Sequence, residues 1–162
     1  MKPKIVTIGV YGFDEAGFFR ALLEAEVDTF CDIRRRRGVR GATYAFANSQ
    51  RLQARLSELG IRYLHRKDLA PTQAVRNRQS EIDKLAKTPK RKRTELGTAF
   101  IEAYETECLL HFQPRSLLDD LEPDARVIAL FCVEREPTAC HRSLVADKLA
   151  RELNLEVEHI VP

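Results

Sequence analysis

Short, β-branched apolar runs alternate in this chain with longer stretches whose apolar residues return every three or four positions. Lys4-Ile-Val-Thr-Ile-Gly9 is the first such run and reads as a buried parallel strand ended by glycine. Asp14 can cap a helix running to about Ala25, with Phe18, Ala21, Leu22 and Ala25 on one face. A second strand spans Val27 to Ile33. The stretch from Arg35 to Ala47 contains Gly38 and Gly41, has no periodicity, and reads as a loop. Ser49 opens a helix through Leu52, Leu56 and Leu59 that Gly60 stops from a C′ position. Ile61 to Leu64 forms a short third strand.

Polar and basic residues fill 66 to 93, with weak helical character around Gln79 to Ala86. Leu96, Ala99, Phe100, Ala103, Tyr104 and Leu110 fall at helical spacing. Pro114 to Leu121 predicts a further short helix with proline in its first turn. Arg126 to Cys132 is a fourth strand, apolar from Val127 onward, and a last helix runs from about Pro137 to Leu153 with Val145, Ala146, Leu149, Ala150 and Leu153 as its core face. Asn154 closes that helix, and Glu156 to Val161 is a fifth strand. The alternation implies one α/β domain, a mostly parallel sheet of about five strands with helices on both faces. Such sheets bind ligands outside the carboxyl ends of their strands.

The net charge is only +3, but ten Lys/Arg between Arg66 and Arg93 face Asp68, Glu81 and Asp83 alone. This segment is expected to be a basic, mobile connector, most of all in the run Thr88-Pro-Lys-Arg-Lys-Arg93, which has no apolar anchor. No apolar run reaches the roughly 20 residues of a membrane span, and no leader pattern opens the chain, so a cytoplasmic protein with no membrane partner is expected. The four cysteines, at 31, 108, 132 and 140, are too few and too scattered for a disulfide framework and read as reduced thiols.

The strand ends collect the candidate chemistry. Asp32 and Arg34 follow the second strand, His65 the third, and Glu134 through Arg142 the fourth, while Thr7, Gly9 and Tyr11 surround the end of the first. Cys140-His141-Arg142 stands at the mouth of the last helix, where unsatisfied amides and a nearby arginine favour a thiolate, so Cys140 is the candidate nucleophile. Packing of Cys140 against the sheet is the competing reading. His141, Glu134 and Asp32 are the candidate acid–base groups, although the two carboxylates can equally serve to fix Arg142 and Arg34. Thr7, Gly9, Tyr11, Arg34, His65 and Arg142 are the candidate ligand-binding residues. A metal site from Cys132, Cys140, His141 and His65 is the least favoured reading, because seven residues separate the two cysteines. Cys31, Cys108 and Cys132 read as core, and His159 has no company. No metal and no cofactor is expected.

Thr7-Ile8-Gly9, Asp32-Ile33-Arg34, Phe46 with Asn48, Tyr63-x-His65, and Cys132-Val-Glu134 followed by Cys140-His141-Arg142 together resemble the family called domain of unknown function 488. The Cys-x-Glu…Cys-His-Arg segment is the specific part. The resemblance implies a compact α/β domain of the prokaryotic cytosol and no settled activity. Two positions depart from it: Val10-Tyr11 follows Gly9 where the family has His-Ser, and Leu69-Ala70-Pro71 stands where it has Leu-Gly-Gly. The leading functional reading is an anion-binding crevice, for a phosphorylated small molecule, nucleotide or nucleic-acid fragment, with Cys140 as its reactive group. The alternative is a non-catalytic nucleic-acid-binding or accessory module using the Arg34–Arg40 loop and the Lys90–Arg93 basic run.

Overall fold

Five strands form one all-parallel sheet: β1 (Lys4–Ile8), β2 (Thr29–Asp32), β3 (Arg62–His65), β4 (Val127–Phe131) and β5 (Val157–Ile160). Their order across the sheet is β3-β2-β4-β1-β5. The computed structural model describes residues 2–87 and 94–162. Both faces of the sheet are covered, so the central strands carry apolar residues on both sides and show no alternation; Ile5, Val6 and Ile8, and Ile128 to Phe131, are fully buried.

Among the described residues six helices cover it: α1 (Glu15–Glu24), α2 (Ser49–Glu58), α3 (Gln73–Leu85), α4 (Thr98–Glu107), α5 (Pro114–Asp119) and α6 (His141–Leu153). The crossovers after β1 and β2 travel toward one edge of the sheet and those after β3 and β4 toward the other. Right-handed connection then puts α1 and α2 on one face and α3 to α6 on the opposite one. On the first face Phe18 of α1 packs its ring against Phe46, Phe131 and Phe30 at 5.5, 5.7 and 6.4 Å. On the second, Tyr104 of α4 meets His141 of α6 at 5.5 Å. Because β2 and β4 are neighbours whose connections leave in opposite directions, a crevice opens between their carboxyl ends.

Local signals set most boundaries. The Asp14 side chain accepts from the Gly17 amide at 2.7 Å and starts α1. Gly60 takes φ +74° beyond α2, and Asn154 takes φ 54° at the end of α6. Three expectations change. The last helix does not run unbroken from Pro137: a tight 3-10 turn over Pro137–Ala139 ends at Cys140, whose extended backbone (φ −136°, ψ 149°) makes it the N-cap of α6. The helix before α5 stops at Glu107, so Leu110 sits in a 3-10 turn and is exposed.

The third change is α3, which is longer than its weak apolar pattern implies. Thr72 caps it by accepting from the Val75 amide at 3.3 Å, and the buried Gln79 accepts from the Gly97 amide at 2.7 Å, tying the helix to the start of α4. The run Thr88 to Arg93 lies outside the described residues. No described helix is long and apolar enough to cross a membrane.

Candidate functional site

The end of β2 is locked by one buried ion pair. Both oxygens of Asp32, which is fully buried, are occupied: Oδ1 accepts from the Arg34 amide (3.1 Å) and Nε (2.9 Å), and Oδ2 from Arg34 Nη2 (2.8 Å) and the Tyr63 hydroxyl (2.7 Å). Arg34 also donates through Nη1 to the Ala47 carbonyl at 2.9 Å and lies over the Phe131 ring at 4.7 Å. This planar, doubly bonded pairing is what a guanidinium does best, and it makes Asp32 a clamp for the β2 loop. Burial, opposed by Arg37 and assisted by Asp32, pushes the Tyr63 phenol up to about 12, so it remains a donor to Asp32. His65 Nε2 lies 2.7 Å from the Arg34 carbonyl and steadies the same loop.

The end of β4 carries the thiols. Cys132 and Cys140 are both buried, one at the strand's exit and the other at the helix mouth. His141 Nδ1 lies 3.7 Å from each sulfur, and its Nε2 lies 3.0 Å from the Ile33 carbonyl. Because a carbonyl can only accept, Nε2 carries the proton and Nδ1 presents its lone pair to the sulfurs in the neutral ring. Burial first, then Cys140 and Glu134, hold the Cys132 thiol well above its usual range. Cys132 Sγ approaches Glu134 Oε2 at 3.4 Å. The Cys140 side chain makes no cap bond to the α6 amides; it turns to His141 instead.

Arg142 supports this floor from beneath. Fully buried, it donates through Nη1 to the Glu134 carbonyl (2.6 Å) and through Nη2 to the Arg135 carbonyl (3.1 Å), and its Nε has no partner among the described residues. Gly9 makes the same approach possible from β1, since an added Cβ there would sit 1.7 Å from the Glu134 carbonyl oxygen. Val10 and Tyr11 donate their amides to the Val133 carbonyl, each at 3.0 Å.

Between the two strand ends lies a cleft of about 550 Å³. Cys132, Glu134, Cys140 and His141 form its floor; Arg34, Arg35, Arg36 and Arg40 line the β2 side; Arg76, Gln79 and Phe100 line the far wall; and Tyr11 lies at its margin. Of the residues singled out in the sequence, Tyr11, Arg34, Glu134, Cys140 and His141 therefore share the cleft. Asp32 and Arg142 brace it from behind. Thr7 bonds sideways, its hydroxyl 2.7 Å from His159 Nδ1 across the β1–β5 pair, and Gly9 and His65 contribute backbone fit and loop support.

Sequence reasoning placed Cys132 in the core, yet it is both buried and part of the floor. It missed Arg76 and Gln79, whose place on the far wall depends on how α3 folds back, and the Tyr63 bond to Asp32, which needs the β2–β3 register (Phe30 beside Tyr63).

Residues 16–149 match the family described as Domain of unknown function DUF488. The chain belongs to the DUF488 family. No curated protein and no solved structure gives a match to it. The DUF488 span holds the Asp32–Arg34 clamp and the whole Cys132-to-Arg142 segment, and begins beyond Gly9-Val10-Tyr11, where this chain departs from His-Ser. At the second departure Ala70 has φ −77° and ψ 141°, ordinary for any residue, so alanine in the position of a DUF488 glycine brings no backbone strain.

His159 provides a pH test of the β1–β5 edge. Burial and the Arg142 charge both lower its pKa, so the folded chain resists a proton that the unfolded histidine takes up near pH 6.5. Stability is then complete above that pH and falls as the pH drops below it. Urea midpoints between pH 7.5 and 5 should decline less in His159→Gln than in the parent; equal declines would place the acid sensitivity elsewhere.

Proposed function

We propose that this protein binds a phosphorylated small molecule of the nucleotide class in the cleft and presents it to the thiol–imidazole floor. One observation carries the reading: five arginines, at 34, 35, 36, 40 and 76, line a single cleft in which Glu134 is the one acidic lining residue among those described. Arg36 and Arg40 are exposed on the glycine-containing loop, so they can meet a ligand without giving up internal bonds of the Arg34 kind. The volume falls in the range of small-molecule sites, roughly 300–1,000 Å³. Tyr11, Val133, Leu96 and Phe100 supply apolar and aromatic surface of the sort that receives a base or other flat group.

Arg36→Ala/Arg40→Ala tests it, because both side chains are exposed and their loss leaves the core intact. Calorimetric titration of nucleoside mono- and diphosphates should show binding to the parent chain and at least about tenfold weaker binding to the variant, as the loss of charged contacts implies. Binding of the corresponding nucleosides with equal strength would remove the phosphate from the argument. Tight, steeply salt-dependent binding of single-stranded nucleic acid without any small-ligand affinity would favour an accessory nucleic-acid module instead.

A further inference from the structure

We infer that Cys132, Cys140 and His141 form a zinc site at the floor of the cleft, with the fourth coordination position open toward the ligand. The inference stands on the geometry of the donors and holds whether or not the cleft takes a phosphate. Sγ of Cys132, Sγ of Cys140 and a ring nitrogen of His141 all lie within 4.8 Å of one another, and all three residues are buried. Nδ1 is equidistant from the sulfurs at 3.7 Å. Around a tetrahedral zinc, with Zn–S of about 2.3 Å and Zn–N of about 2.0–2.1 Å, a sulfur and a nitrogen ligand stand about 3.6 Å apart. The two sulfur–nitrogen separations match those around the ion, and the sulfurs, within 4.8 Å of each other, draw together to about 3.8 Å on binding it.

The second observation is the orientation of the ring. A metal-ligating histidine typically donates its other N–H to a carbonyl or carboxylate, which fixes the tautomer and aims the free lone pair. His141 has that arrangement, with Nε2 on the Ile33 carbonyl at 3.0 Å and Nδ1 facing both sulfurs. The Ile33 carbonyl comes from the loop that the Asp32–Arg34 pair locks, so the ring is held by the far side of the crevice.

Two thiolates with an imidazole select zinc over magnesium or calcium, which prefer oxygen. Three protein ligands and one open position are the pattern of a reactive zinc site, whereas a structural one is closed by four. Here Cys132, Cys140 and His141 all line the cleft, so the open position faces it, and Glu134 stands beside Cys132 at 3.4 Å, within reach of a metal-bound water.

The binding step balances simply. Two neutral thiols and a neutral imidazole take up one Zn²⁺, two Zn–S bonds and one Zn–N bond form, and two protons leave to solvent. No electron moves. In this state Cys140 is a ligand and not a free nucleophile, and the cation offsets the burial that otherwise keeps the Cys132 thiol protonated.

The test uses the full chain, stripped with chelator, fully reduced and titrated with zinc chloride. One zinc per chain and about two protons released per zinc near pH 7 are expected. A hundredfold excess over Kd should raise Tm by about 5–10 °C. Cys132→Ser and Cys140→Ser should each weaken binding at least about a hundredfold, since loss of outer-shell partners alone costs ten- to a hundredfold. Should either variant fail to fold, cobalt(II) titration of the parent decides, because a Cys₂His site gives thiolate-to-cobalt charge-transfer bands and tetrahedral visible absorption.

The inference is overturned by less than half an equivalent of zinc on the reduced parent, by cobalt bound without thiolate bands, or by zinc affinity unchanged in both variants. A Cys132–Cys140 disulfide forming in preference to zinc uptake counts the same way. Arg36→Ala/Arg40→Ala, which removes the proposed phosphate contacts, should retain full zinc affinity, so failure of one reading leaves the other standing.

Discussion

Asp32→Ala should destabilise the protein by about 3–5 kcal/mol, the usual penalty for leaving half of a buried ion pair behind. The carboxylate accepts four hydrogen bonds, three from Arg34 and one from Tyr63, and neither partner of the ion pair has more than 4% of its side chain exposed. Its removal strands the guanidinium over the Phe131 ring with the Ala47 carbonyl as its remaining hydrogen-bond partner among the described residues. A desolvated cation–aromatic contact contributes on the order of 2 kcal/mol, is present in the parent as well, and so does not offset the loss. Against a typical total of about 5–15 kcal/mol, the variant is close to unfolding at ambient temperature.

Urea unfolding measures this directly, and Asp32→Leu/Arg34→Met supplies the contrast. With both charges gone there is no orphan, so the double variant should lose less than the single one. A single-variant loss below about 1 kcal/mol would mean that water reaches Arg34 in solution.

Gly9→Ala should cost about 3 kcal/mol, at the upper end of what one inserted methyl does in a packed core. The new Cβ would meet the Glu134 carbonyl oxygen at 1.7 Å, its carbon at 2.7 Å and Arg142 Nη1 at 3.0 Å. Two of these atoms are backbone, and the third belongs to the side chain that holds that carbonyl at 2.6 Å. Relief therefore requires moving the peptide after Glu134 and breaking the bond to a fully buried arginine. Chemical denaturation would show the loss, while the analogous change at Gly41, with nothing within 4 Å of its Cβ but φ +85°, should cost only the backbone strain of about 1 kcal/mol. Equal costs at the two positions would mean that the Glu134 loop yields freely.

The sheet was legible because each central strand is a short, predominantly apolar and buried run and its connections carry a helical period or a cap. Asp14, Gly60 and Asn154 mark boundaries that the structure reproduces. The floor was half legible. Glu134, Cys140 and His141 announce themselves as a cluster just after a strand, but the partnership of Cys132 with Cys140 reads only as the least favoured alternative, since chelate spacing in sequence assumes a turn and here the pair spans a strand exit and a helix mouth.

The role of Arg34 was legible as one of two alternatives, since Asp32 reads as able to fix it, whereas the bonding of Arg142 to two backbone carbonyls was not. Both also hold the scaffold, Arg34 through a carboxylate and Arg142 through two carbonyls. Sequence shows that a cation follows a strand and cannot show which way it turns. Gln79 illustrates the limit further: its burial depends on meeting Gly97 eighteen positions later.

The path of the chain around the cleft has a consequence for how such a protein can change. Pro71, Arg76, Gln79, Ser80, Leu96 and Phe100 all belong to the single excursion from β3 to β4, whereas the thiols, the imidazole and their braces come from the strand ends and α6. Exchange of side chains along that excursion reshapes what the cleft admits while leaving the bonds of the floor untouched. The far wall of the cleft and its floor are thus inscribed on separate stretches of one polypeptide, and drift in the first is free to proceed under a constant second.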